Sequence, residues 1–152
     1  MAPNYKCNMT DIMASLGLAQ FKRYPEILKR RREIIEKYDD LLAELDVTPM
    51  KHYDQTYASS GHLYLLRLNG KDEAFRNDLI TKLAEKGVSS NVHYKPLPML
   101  TAYKDLGFKI EDYPNAFDMY RNEITIPLHT LLTDEDIEYV VESLKQSLNE
   151  LN

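Results

Sequence analysis

The sequence predicts an α/β sandwich in which helices pack on one face of a small sheet. Three observations carry that prediction. Four long segments repeat apolar residues at helical spacing, and three short runs rich in Leu, Tyr, Val or Ile are bounded by Gly, Asn or Pro. The order is two helices, then strand, helix, strand, short helices, strand, helix, an arrangement that buries one face of a sheet beneath its helices. At 152 residues the chain suffices for one domain that buries about 68–70% of the surface its unfolded form exposes.

The first helix follows an opening loop. Ile12, Met13, Leu16 and Ala19 recur at helical spacing, with Asn8 or Thr10 as the cap. Pro25 fits the first turn of a second helix, where its missing N–H costs nothing. That helix, PEILKRRREIIEKYDDLLAEL, places Ile27/Leu28, Ile34/Ile35 and Leu41/Leu42 one heptad apart, with Tyr38 and Leu45 on the same face. Glu33 and Lys37 form an i,i+4 pair in the favourable order. The basic run Lys29–Arg32 reads as a solvated helix face.

His62–Leu68 reads as the first strand, bounded by Gly61 and by Asn69-Gly70. Asp72 starts a helix through Phe75, Leu79, Ile80 and Leu83, and Gly87 stands just past its end. Val88–Tyr94 reads as a second strand, broken by the prolines of KPLPML. Short helices are expected over Met99–Leu106 and Pro114–Asn122. Ile124–Leu128 is the third strand, with Pro127 marking an end or an edge. Thr133 caps the last helix, Asp136 completes a capping box, and Ile137, Val140, Val141, Leu144, Leu148 and Leu151 form its apolar stripe. The expected organisation is a single domain over 1–152: a loop at 1–10, two helices at 10–46 and a small α/β unit at 47–152.

Composition narrows the function classes. A chain with 43% hydrophobic and 28% charged residues is globular, and a net charge of -5 gives no electrostatic case for nucleic acid. Cys7 is the single cysteine, so no intrachain disulfide is possible and a reducing cytoplasm is the expected setting. Pro3, Asn4, Lys6 and Asn8 interrupt any apolar core of a signal peptide, and no apolar run approaches bilayer-spanning length. His52, His62, His93 and His129 show no ligand spacing, so no metal site is expected. There is no GxGxxG, no P-loop and no GxSxG.

Two clusters remain. Tyr5, Lys6, Cys7 and Asn8 precede a helix, where backbone N–H groups, an Asn amide and a Lys suit a phosphate; equally, Asn8 serves only as the cap. His93-Tyr94-Lys95-Pro96 lies at a strand end, a place where loops carry binding residues; alternatively His93 is an ordinary hydrogen-bonded residue there.

The stretch PNYKCNMTDIMASLGLAQFKRYPEILKRRREIIEKY is similar to a segment of the DegT/DnrJ/StrS family, pyridoxal-phosphate-dependent aminotransferases that act on nucleotide-linked keto sugars. Pro3, Tyr5, Lys6, the run Asn8–Ile12, Ala14, Gly17-Leu18, Gln20, Arg31-Arg32, Ile34 and Tyr38 fit its pattern. HLYLLRL, GVSSNVHYKPLPMLTAY, YPNAFDMYRNEITIPLH and LTDEDIEYVVESLK follow in the family's order. Asn4 in place of Gly, Cys7 in place of Tyr, Ser15 in place of Ala and Pro98 in place of a second His depart from it.

The resemblance implies the C-terminal small domain of a fold-type-I enzyme, with a mainly antiparallel sheet. It implies a homodimer in which the opening loop of one subunit reaches the active site of the other. Asn8 would contact the phosphate of pyridoxal phosphate, and Lys6, His93 and Lys95 would meet the nucleotide-sugar substrate. No catalytic residue is expected in this chain, because the lysine that carries the cofactor and the carboxylate that tunes it belong to the family's large domain. The expected activity of the parent is amino transfer from glutamate to a keto sugar for polysaccharide biosynthesis, with the chain alone inactive and with no metal, nucleic-acid or membrane partner. The alternative is a stand-alone nucleotide-sugar-binding or dimerisation module.

Overall fold

The computed structural model describes residues 8–152. It opens with one helix where the sequence predicts two: α1 runs unbroken from Asp11 to Leu42, with Pro25 inside it. Thr10 is its cap, and its hydroxyl accepts the Met13 N–H at 3.3 Å. Pro25 cannot donate to the carbonyl one turn back, yet it lies on an exposed stretch where that carbonyl is open to solvent, so the helix continues.

Three strands form an antiparallel sheet in the order β1 (Val47–Pro49), β2 (Tyr64–Leu68), β3 (Glu123–Ile126). Val47 pairs with Leu68, and Tyr64 pairs with Ile126. Helix α2 (Glu73–Glu85) starts on Asp72, whose carboxylate accepts the Phe75 N–H at 2.9 Å. A 3-10 turn at Leu97–Met99, the short helix α3 (Thr101–Lys104), a second 3-10 turn at Ile110–Asp112 and α4 (Pro114–Arg121) fill the connection to β3. Helix α5 (Asp134–Leu151) begins with the expected capping box: Thr133 and Asp136 exchange side-chain to main-chain bonds of 2.9 and 3.1 Å.

The strand expected over Val88–Tyr94 is reduced to a single bridge between Asn91 and Thr125. The ladder stops there because the next available donor, the His93 N–H, turns to the Glu123 carboxylate instead of a strand carbonyl. β1 is an element the sequence reading passes over, since its three residues include Thr48 and Pro49 and carry little apolar signal.

Alternation along the strands divides the molecule into two faces. Tyr64, Leu66 and Leu68 of β2, with Ile124 and Ile126 of β3, are buried with Ile34, Ile35, Tyr38 and Leu42 of α1, Leu79 and Leu83 of α2, and Ile137, Val141 and Leu144 of α5. The Tyr38 hydroxyl donates to the Pro127 carbonyl at 2.9 Å, and the Tyr64 hydroxyl donates to Asp39. Ion pairs from Arg30 and Lys37 to Asp134, and from Lys37 to Glu138, join α1 to α5. Gly61 (φ +60°) lets the chain pass over α1: a Cβ there would stand 3.0 Å from Ile35 Cδ1 and 3.2 Å from Arg31 Cβ.

The other half of α1 leaves this core. From Asp11 to Glu26, about 24 Å of helix, every residue except Ala14 is exposed. Ile12, Met13 and Leu16 are 75%, 59% and 59% exposed, although they share a helix face with Ile34, Tyr38 and Leu42. The apolar stripe therefore extends well past the part of α1 that the rest of the domain covers. No helix among the described residues is long and apolar enough to cross a membrane.

Candidate functional site

The second sheet face carries β3's polar residues. Because Ile124 and Ile126 point into the core, Glu123 and Thr125 point the opposite way, to where the segment after α2 brings His93. The His93 N–H donates to Glu123 Oε2 at 3.0 Å, the Thr125 hydroxyl donates to Glu123 Oε1 at 2.6 Å, and His93 Nδ1 lies 3.0 Å from Thr125 Oγ1. The His93–Tyr94 peptide bond is cis, and the Tyr94 ring stands edge-on to the imidazole with centroids 4.7 Å apart.

Glu123 is 3% exposed. Burial pushes its carboxyl upward, and hydrogen bonds from Thr125 and His93, together with the charges of His93 and Arg76, oppose that shift. Arg76, 1% exposed on α2, supports the same strand from behind. Its guanidinium donates to the carbonyls of Tyr120 at 3.2 Å and Glu123 at 3.3 Å, tying the end of α4 to the start of β3.

His93, Tyr94, Leu65, Met50, Met119 and Tyr120 are among the residues around a cavity of about 250 Å³ on this face. An imidazole, a phenol and an apolar floor suit one edge of a polar ligand. Lys95, two residues on, is exposed and makes no ion pair among the described residues.

The remaining predicted residues lie at the start of the chain. Asn8 is exposed and stands two residues before the Thr10 cap, so its amide is not spent on closing α1. Lys6 lies outside the described residues, as do Tyr5 and Cys7. The sequence reading missed Glu123, Thr125 and Arg76. A signal for the first two was present, because NEITI alternates polar and apolar residues over four positions. Their pairing with His93, about thirty residues away, is tertiary and left no local trace.

The pattern of the DegT/DnrJ/EryC1/StrS aminotransferase family matches residues 2–145. The spore coat polysaccharide biosynthesis protein SpsC of Bacillus subtilis is 34% identical over 149 residues, 95% of this chain and 38% of SpsC. The UDP-4-amino-4,6-dideoxy-N-acetyl-β-L-altrosamine transaminase of Helicobacter pylori is 28% identical over 93% of this chain and 37% of its own. Among solved structures, Spr1654 of Streptococcus pneumoniae, described as a sugar aminotransferase, superposes with a TM-score of 0.94 at 50% identity, covering 99% of this chain and 38% of that one. The chain thus spans under two fifths of the length of these relatives. Family pattern over residues 2–145, sequence identity and fold agree: the chain belongs to the DegT/DnrJ/EryC1/StrS aminotransferase family.

Proposed function

We propose that this chain serves as the C-terminal portion of a pyridoxal-phosphate-dependent aminotransferase that passes an amino group from glutamate to a nucleotide-linked keto sugar. The observation that carries this reading is the superposition of 99% of the chain on Spr1654, which has been solved in both PLP and PMP forms. A UDP-linked sugar in the name of one relative and a spore coat polysaccharide in that of another support the substrate class and the setting in polysaccharide biosynthesis. The cytoplasm is the proposed location, in keeping with the single cysteine.

The residues present fit one end of the cofactor. Asn8 offers an exposed amide in front of α1 that makes no hydrogen bond among the described residues, suited to a phosphate oxygen. When bound, pyridoxal phosphate supplies the electron sink for amino transfer. Lys37, Lys82 and Lys86 are held in ion pairs with Asp134, Glu138, Glu85 and Glu150, which suits them to structural roles. The lysine that anchors the cofactor comes from outside this chain, and the chain alone is inactive. Lys6, His93 and Lys95 bind the substrate's diphosphate, and the cavity beside His93 orients the group attached to it. The uncovered stripe of α1 is the surface that meets the rest of the enzyme, placing Asn8 in the active site of the partner subunit of a homodimer.

A chimera tests the reading. The segment of Spr1654 that matches this chain is replaced by residues 1–152, and glutamate-dependent amino transfer to UDP-linked keto sugars is assayed. Activity within about tenfold of the unaltered enzyme is expected, with Asn8→Ala weakening retention of the cofactor. A folded, cofactor-loaded chimera that transfers no amino group to any nucleotide sugar would overturn the substrate class.

A further inference from the structure

The Thr125 hydroxyl has one proton to give, and two neighbours that would take it. Glu123 Oε1 is 2.6 Å away and His93 Nδ1 is 3.0 Å away. A carboxylate oxygen can only accept, so the hydroxyl proton goes to Glu123 and the oxygen turns a lone pair toward the imidazole. Nδ1 must then carry a hydrogen. The second carboxylate oxygen is held in the same role, accepting the His93 main-chain N–H at 3.0 Å. Donors thus meet both oxygens of a group that is 3% exposed, and Arg76 stands behind it. Nε2 has no hydrogen-bond partner among the described residues, and the ring borders the 250 Å³ cavity with Tyr94 and Tyr120.

We propose that Thr125, anchored by the buried carboxylate of Glu123, is a positioning residue that holds His93 as its Nδ1–H tautomer and makes Nε2 the ring atom offered to the ligand. The inference rests on the proposed substrate only for what the ligand is; the tautomer follows from the three side chains. With Nδ1 engaged by Thr125, Nε2 is the ring atom left to face the cavity and to meet a diphosphate oxygen there.

His52 shows what the network adds. Its Nδ1 lies 3.2 Å from Ser59 Oγ, but its Nε2 is buried without a partner among the described residues, and burial pushes its pKa down. That ring is stacked on Tyr64 with centroids 5.5 Å apart and faces the core. His93, by contrast, borders the cavity.

The test uses the 152-residue chain labelled with ¹⁵N-histidine, and reads each ring's tautomer from its nitrogen shifts at neutral pH. The expected result is a protonated Nδ1 and a bare Nε2 at His93, kept in Thr125→Ser and lost in the isosteric Thr125→Val. A dominant Nε2–H form in the unaltered chain, or the same tautomer in Thr125→Val, would overturn the proposal. In the chimera, Thr125→Val is expected to raise KM for the nucleotide sugar about tenfold with kcat nearly unchanged, and Thr125→Ser to restore it. An unaltered KM in Thr125→Val would also count against the positioning role. A chimera without activity bears on the enzyme reading alone, and leaves the nitrogen shifts to decide the tautomer.

Discussion

The guanidinium of Arg76 lies 4.9 Å from the centroid of the Tyr120 ring, buried between α2 and the start of β3. It satisfies the carbonyls of Tyr120 and Glu123, and the Tyr120 hydroxyl in turn donates to Glu73 at 2.9 Å. This arrangement sets where β3 begins, and so where Glu123 and Thr125 stand.

Arg76→Ala strands the buried Glu123 carbonyl, takes one of two donors from the Tyr120 carbonyl, which keeps the Asn122 N–H, and removes the cation over the ring. A loss of about 3 kcal/mol in urea unfolding is expected. Arg76→Lys should recover little of it, because an ammonium cannot span both carbonyls while lying flat on Tyr120.

The two core tyrosines set the alkaline limit. Burial raises the phenol of Tyr38, and burial together with the nearby Asp39 raises that of Tyr64, both well above their ordinary value of 10.0. In the unfolded chain these phenols ionise near pH 10. Their contribution is therefore complete below pH 10 and is lost as pH rises above it. Stability measured from pH 9 to 12 should fall less steeply in the Tyr38→Phe, Tyr64→Phe double variant. Tyr64→Phe should itself cost about 1–2 kcal/mol at neutral pH.

Thr133→Ala should cost about 1 kcal/mol through loss of the α5 cap. The Thr133 main-chain and side-chain bonds hold the Asp136 carboxyl below its ordinary 3.8. A depressed carboxyl stabilises the fold above its unfolded pKa, and that share is lost as pH falls through the folded value. Alanine keeps the main-chain N–H, the larger cause, so the variant should lose only part of this pH dependence below about pH 4, measured by thermal unfolding.

Ile12, Met13 and Leu16 present an apolar face to water, and the chain alone should self-associate through it. Replacing Ile12 and Leu16 by Gln should reduce the association seen in sedimentation velocity by about tenfold or more, while leaving the unfolding free energy within about 0.5 kcal/mol. Equal association in the variant would place the contact elsewhere.

How much could be read from the sequence depends on the range of the signal. The Asp72 cap and the Thr133–Asp136 box are each written within a few residues and found where expected, and the Leu- and Tyr-rich run read as a strand over His62–Leu68 is one over Tyr64–Leu68. Pro25 misled because its helix-starting preference is local, whereas its tolerance inside α1 depends on exposure. Val88–Tyr94 has the composition of a strand, but a side chain from β3 captures the donor that would have continued its ladder. The same capture explains the candidate site: His93 was legible from HYKP, while the Glu123 and Thr125 that hold it become visible only when β3 is placed beside it.

The most direct measurement of the central claim is cofactor retention. Pyridoxal phosphate is added to the 152-residue chain and to the chimera, excess is removed by gel filtration, and the absorbance of covalently held cofactor is recorded. The account predicts stoichiometric retention by the chimera and none by the chain alone, because the anchoring lysine lies outside these residues. Stoichiometric covalent cofactor on the isolated chain would contradict it.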